Sequence, residues 1–157
     1  MADVDGKRFV AVVDRGFLRV FRLTDSPNGR PPHLEPVDEW RPAEAHEKTS
    51  DKVTDDAGRF PSGHARNPAI GDLTIGERHG IELEETRRLV RRLAERVGAI
   101  LEREDAERSY LAVSAPIHQQ FLAALDSRSR RRISRVLARD LSRTPPGEIL
   151  AHFDEPA

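Results

Sequence analysis

Two groups of cationic side chains in this chain have the types and spacing to do chemistry. Arg59, His64 and Arg66 sit in the stretch DAGRFPSGHARN, residues 56–67, where Gly58 and Gly63 free the backbone to bring them against a phosphate. The same Gly, Pro and Asn content equally suits a connection with no structure of its own. Between Arg128 and Arg143 seven arginines face the single Asp140. Of these, Arg130, Arg131, Arg132 and Arg135 lie close enough in sequence to act together on an RNA backbone, and binding of that kind weakens steeply with salt. If they are plain surface groups, removing Arg130, Arg131 and Arg132 leaves the fold intact. Arginine outnumbers lysine 23 to 3. Its planar fork suits bidentate phosphate recognition, although a genome-wide compositional bias produces the same excess. The net charge is -1, so any positive field is local rather than global.

The residues that could form a catalytic constellation are incomplete in each case. There is no cysteine, which removes disulfides, thiol nucleophiles and cysteine metal sites. The six histidines, at 33, 46, 64, 79, 118 and 152, show no i, i+4 pair for a helical metal site. Asp14 ends an apolar run as a carboxylate of a metal-dependent nuclease would, but the later run SYLAVSAP ends in Ser114, Ala115 and Pro116 with no acid to share the ion. Asp14 reads more simply as a turn residue. Ser114 and His118 lack the G-x-S-x-G elbow of a hydrolase, and no phosphate-loop or dinucleotide glycine pattern is present. No catalytic residue, metal or cofactor is expected.

A length of 157 residues suits one domain with a real core, and 37% hydrophobic against 34% charged residues puts a polar surplus outside it. RFVAVVD (8–14) and FLRVFRL (17–23) predict an antiparallel hairpin turning at Asp14, Arg15 and Gly16. SPNGRPP (26–32) is a turn, and a short third strand follows at Val37 to Trp40. Residues from about 41 to 79 show no sustained period and predict a long flexible loop. Thr86, Leu89, Val90, Leu93, Val97, Ile100 and Leu101 then recur at helical spacing, predicting a long helix from about Ile81 to Glu104. Ser109 to Pro116 reads as a buried central strand, followed by a helix with Ile117, Phe121, Leu122 and Leu125 inward. A helical turn to Arg132, a strand at Ile133 to Arg139, and a terminal helix opened by Thr144 and Pro145 complete the order. The expectation is a single α/β domain over residues 1–157. Its mixed sheet starts from the N-terminal antiparallel hairpin and is flanked by helices in a ribonuclease H-like arrangement. No apolar run approaches the roughly 20 residues that span a bilayer, and the start MADVDGKR lacks a signal-peptide core, so a cytoplasmic protein without membrane insertion is expected.

Taken in order, VVDRGFLRVFRL, the DDAGRFPSGHA loop, the helix bearing RRLAERV, YLAVSAP and RVLARDLSRTPPGEILAHF resemble the bacterial host-attachment protein family. That family is similar to domains of the eukaryotic and archaeal class-1 peptide-chain release factors. The resemblance spans most of the chain and implies an α/β fold, a link to translation, and a ribosome or tRNA as partner. In release factors a Gly-Gly-Gln loop precedes a long helix and promotes peptidyl-tRNA hydrolysis. Here the equivalent loop has Ser62, Gly63 and His64, so hydrolysis is carried over to no residue. The resulting expectation is a noncatalytic domain that binds RNA or a ribosomal partner through its central loop and Arg-rich final third. The alternative is a protein-interaction module, concerned with cell attachment, that docks a protein partner through Trp40, Phe60 and their neighbours. A nuclease dependent on Asp14 ranks third.

Overall fold

The run of β-branched residues near the start forms β1 (Arg8–Asp14), and its five central side chains are all buried. Burial on alternate residues of both faces requires packing layers above and below the strand, which is why the run is continuous rather than alternating. The computed structural model describes residues 7–42 and 75–154. β2 (Phe17–Thr24) folds back antiparallel on β1, with Asp14 opposite Phe17 across the two-residue turn of Arg15 and Gly16. β3 (His33–Trp40) begins four residues earlier than its apolar residues indicate. It lies at the sheet edge, where Pro36 is tolerated, and its register against β2 shifts between Val20 and Phe21. The connection into it turns at Asn28 and Gly29, which take φ of 69° and 72°.

α1 runs Ile75–Arg103, six residues ahead of the expected start at Ile81. The residues 75–79 assigned to the long loop are therefore helical, whereas 43–74 lie outside the described residues. Apolar periodicity could not reveal the early turns, because the helix reaches the core only at Leu89. α1 ends in a left-handed Asp105 (φ 54°), with the Ala106 amide donating to the Leu101 carbonyl at 2.9 Å and the Asp105 amide to Glu102 at 3.1 Å. This pair of bonds is a Schellman motif built without glycine.

β4 (Arg108–Val113) pairs parallel with β1 on one side and with β5 (Ile133–Ala138) on the other, giving the strand order β3-β2-β1-β4-β5. Between β4 and β5 a single 3₁₀ turn (Ala115–Ile117) leads into α2 (His118–Ala124) and then α3 (Ser127–Arg132). α4 (Pro146–Asp154) starts one residue later than Thr144 and Pro145 suggest, and Thr144 instead donates its amide to the Leu141 carbonyl in a preceding turn. Phe9, Ala11, Val13, Leu111 and Val113 face α1 and α2; Val10, Val12, Phe21 and Ala112 face Leu141, Ile149 and Phe153. Side chains fully buried in this way contribute roughly 1.5–3 kcal/mol each, so the two apolar faces of one sheet hold the helices in place. The expected single α/β domain, with a mixed five-stranded sheet and flanking helices, is observed.

Candidate functional site

The Arg-rich segment begins at Asp126, whose Oδ1 accepts the Ser129 amide at 2.7 Å and caps α3. That backbone donor, then the Ser129 side chain and the neighbouring Arg128, hold the carboxyl below its ordinary value. The capped turn then sends its arginines in different directions. Arg128 pairs with Glu102 at 3.2 Å. Arg130 donates through Nε and Nη2 to the carbonyls of Leu122 (3.0 Å) and Ala123 (3.2 Å), in the last turn of α2. Arg132 donates through Nη1 to Ala106 (2.6 Å) and Leu101 (3.4 Å) and lies 3.7 Å from the Asp105 carboxylate. A guanidinium at the carbonyl end of a helix satisfies orphan acceptors and opposes the negative end of the dipole. Arg130 therefore caps α2 and Arg132 caps α1. The expectation that both can be removed at no cost to the fold is corrected, since each holds two backbone carbonyls. Arg131 between them is exposed.

Arg135 points to the opposite face of the sheet, opposite Tyr110 in the register of β4 and β5. With Arg8, Pro31, Pro32, Tyr110 and Phe153 it lines a groove of about 390 Å³ between the sheet and α4. Arg8 is held there by Asp25 at 2.6 Å, and the Tyr110 and Phe153 rings pack with centroids 5.5 Å apart. The sheet thus separates Arg135 from the helical side that carries Arg130, Arg131 and Arg132. Arg59, His64, Arg66, Gly58, Gly63 and Phe60 lie outside the described residues.

Asp14 closes the first hairpin, and among the described residues no group of three or more histidines and carboxylates is placed to hold a metal ion. Ser114 is buried, with its amide on the Val13 carbonyl at 3.0 Å, so its hydroxyl is not presented as a nucleophile. Trp40 is no free anchor. It packs against the main core, with the Arg92 and Arg96 guanidinium carbons 5.9 and 5.8 Å from its ring centroid and Arg96 bound to Asp38 at 3.1 Å.

Two surfaces escaped the sequence reading. Ile81 and Leu83, on the early turns of α1, are 48% and 46% exposed. The signal was there, since residues two apart on a helix are rotated by about 200° and cannot both face one core. The other is a shallow apolar hollow lined by Leu122, Ala123, Ile133 and Val136, with Arg130 at its side. Leu122, expected to face inward, does pack against the main core but is only half-buried, its remaining surface lining this hollow.

No described helix is long and apolar enough to cross a bilayer. No curated protein matches the chain. A family model described as "Protein required for attachment to host cells" matches residues 9–153, from the first buried residue of β1 to the last buried residue of α4. The chain therefore belongs to the host-attachment protein family.

Proposed function

We propose that this chain is a binding domain rather than an enzyme, and that it serves attachment through contact with another protein. The observation that carries this reading is the first part of α1. Its side chains from Glu77 to Glu84 are exposed, the core begins only at Leu89, and Ile81 and Leu83 each leave about half of their surface in water. A helix segment that contributes nothing to the core yet carries large apolar side chains suits a role in recognition. The family description, attachment to host cells, fits a binding role. The test is a photo-crosslinking amino acid placed at Ile81 or Leu83 in the full chain within living cells. A discrete protein adduct that disappears on adding Ile81→Glu or Leu83→Glu at the companion site supports the reading. Adducts to RNA alone, or none at either site, overturn it.

A second reading keeps RNA or a ribosomal partner, such as tRNA on the ribosome, as the ligand. In its favour are the exposed Arg131 on α3 and the exposed Arg139 and Arg143 beyond β5. In this reading Arg59, His64 and Arg66, outside the described residues, would join them on the phosphates. Arg131→Ala is the suitable variant, because Arg130 and Arg132 are tied to helix carbonyls. A steep salt dependence of RNA binding that becomes shallower in Arg131→Ala would favour this reading over the first.

A further inference from the structure

We propose that the outer edge of β5 is a strand-addition site, which takes an extended acidic peptide segment of a protein partner into the hollow between β5 and α2. The proposal rests on the protein-binding reading above and names the chemistry of one docking surface. β5 is a terminal strand of the sheet, paired on one side only, with β4, among the described strands. Its other side presents backbone donors and acceptors that an added strand can pair with. Beside that edge, Ile133 and Val136 of β5 and Leu122 and Ala123 of α2 enclose a hollow of about 400 Å³, more apolar than polar. A strand edge next to an apolar hollow offers both parts of strand addition: a main-chain ladder for affinity and a side-chain pocket for selectivity.

Charge selects the occupant. Arg130 forms one wall of the hollow, and its guanidinium stays exposed while Nε and Nη2 hold the Leu122 and Ala123 carbonyls. Those bonds fix the cation at the end of α2, ready to meet a carboxylate. Arg131 precedes the strand and Arg139, 2.9 Å from His152 Nδ1, follows it; both are exposed cations. A second copy of the chain pairing antiparallel along β5 would set the arginines at one end of the strand against those at the other. Like charges directly opposite are destabilising, so the edge disfavours itself and favours an acidic segment. Side chains two residues apart share a face of a strand, so the fitting segment has an apolar residue for the hollow and a carboxylate two residues along for Arg130.

The experiment titrates the isotopically labelled full chain with short capped threonine peptides carrying a valine and, two residues on, a glutamate. A lysine version and a version N-methylated along the backbone serve as comparisons. The expected result is amide shifts confined to β5 and α2 with the glutamate peptide, and binding weaker by about tenfold or more with either comparison peptide. Ala123→Glu sets a carboxylate into the hollow from an exposed helix position and should weaken the glutamate peptide similarly, whereas Ala123→Lys should not. Unchanged melting temperatures for both variants separate this from misfolding. Shifts elsewhere, equal binding of the N-methylated peptide, or no binding at all overturn strand addition. The Ile81 and Leu83 crosslinks are read independently: adducts there while the glutamate peptide fails to bind the wild-type chain discard this site alone, and absence of both discards the protein-binding reading with it.

Discussion

Asp126 caps α3 as a charged acceptor, and its stabilising effect has a definite pH sign. Its carboxyl is held below the ordinary value chiefly by the Ser129 amide. A depressed native pKa stabilises the fold above the unfolded-state value of about 3.9 and loses that effect as pH falls through the native value. Asp126→Ala should cost about 1 kcal/mol near neutral pH, the usual cost of a lost cap, and the gap from the wild type should close in acid. Asp126→Asn keeps an acceptor and should recover most of the loss; urea melts of the three proteins at several pH values check both points. Arg132 is the more expensive residue. Its Nη1 serves the Ala106 and Leu101 carbonyls from a side chain only 26% exposed. Arg132→Ala should destabilise by about 1–3 kcal/mol, since acceptors bonded to a charged donor lose it. Arg131→Ala, at an exposed neighbour, should stay within about 0.5 kcal/mol. Equal losses for the two would contradict the capping assignment.

Among the elements, α1 and α3 are set close together by Gly98. A Cβ there would lie 2.8 Å from the Ser129 Oγ and 3.7 Å from the Asp126 Oδ2. Glycine within a helix costs about 1 kcal/mol against alanine, so here helix propensity yields to helix approach. Gly98→Leu should destabilise by about 1–3 kcal/mol through overpacking, and a calorimetric scan showing no loss would mean that α3 can move aside freely. The β1–β2 hairpin, the core stripe of α1 and the central β4 were readable because each carries a period that only one packing satisfies. The six early residues of α1 carry no stripe. The first half of β3 was hidden because His33 to Pro36 sit at an edge where apolar alternation is not required. The arginine site was legible only as composition: charge counting finds the residues between Arg128 and Arg143, but it cannot say that Arg130 and Arg132 turn back onto helix carbonyls while Arg135 passes through to the other face. Those directions depend on where α1 and α2 end in space.

Across the whole molecule, stability should be graded outward from β1 and β4. Both strands lie inside the sheet and carry buried residues toward both helical layers, so Phe9 and Val10, or Leu111 and Ala112, cannot be exposed without undoing packing on both faces at once. Their amides should therefore exchange with solvent only through global unfolding. α1 joins this unit from Leu89 onward, where Val90, Leu93, Val97 and Ile100 are buried. Its earlier turns are held by helix bonds and by weak pairs such as Glu84 with Arg87 and Arg88 at 3.8 and 3.9 Å, all well exposed and each contributing about 0.2–0.5 kcal/mol. Native-state hydrogen exchange should divide this one helix in two. Amides before about Leu89 should exchange by local fraying, nearly independent of denaturant, and those after it should merge with β1 and β4 at the global free energy. Phe153→Ala, on the opposite face of the sheet, should lower the second group together and leave the first unchanged, because Phe153 packs in the cluster shared with Val10 and Ala112. If the early turns of α1 instead followed Phe153→Ala in parallel with the strands, that segment would be part of the cooperative core, and its exposed apolar side chains would lose their standing as a surface kept free for a partner.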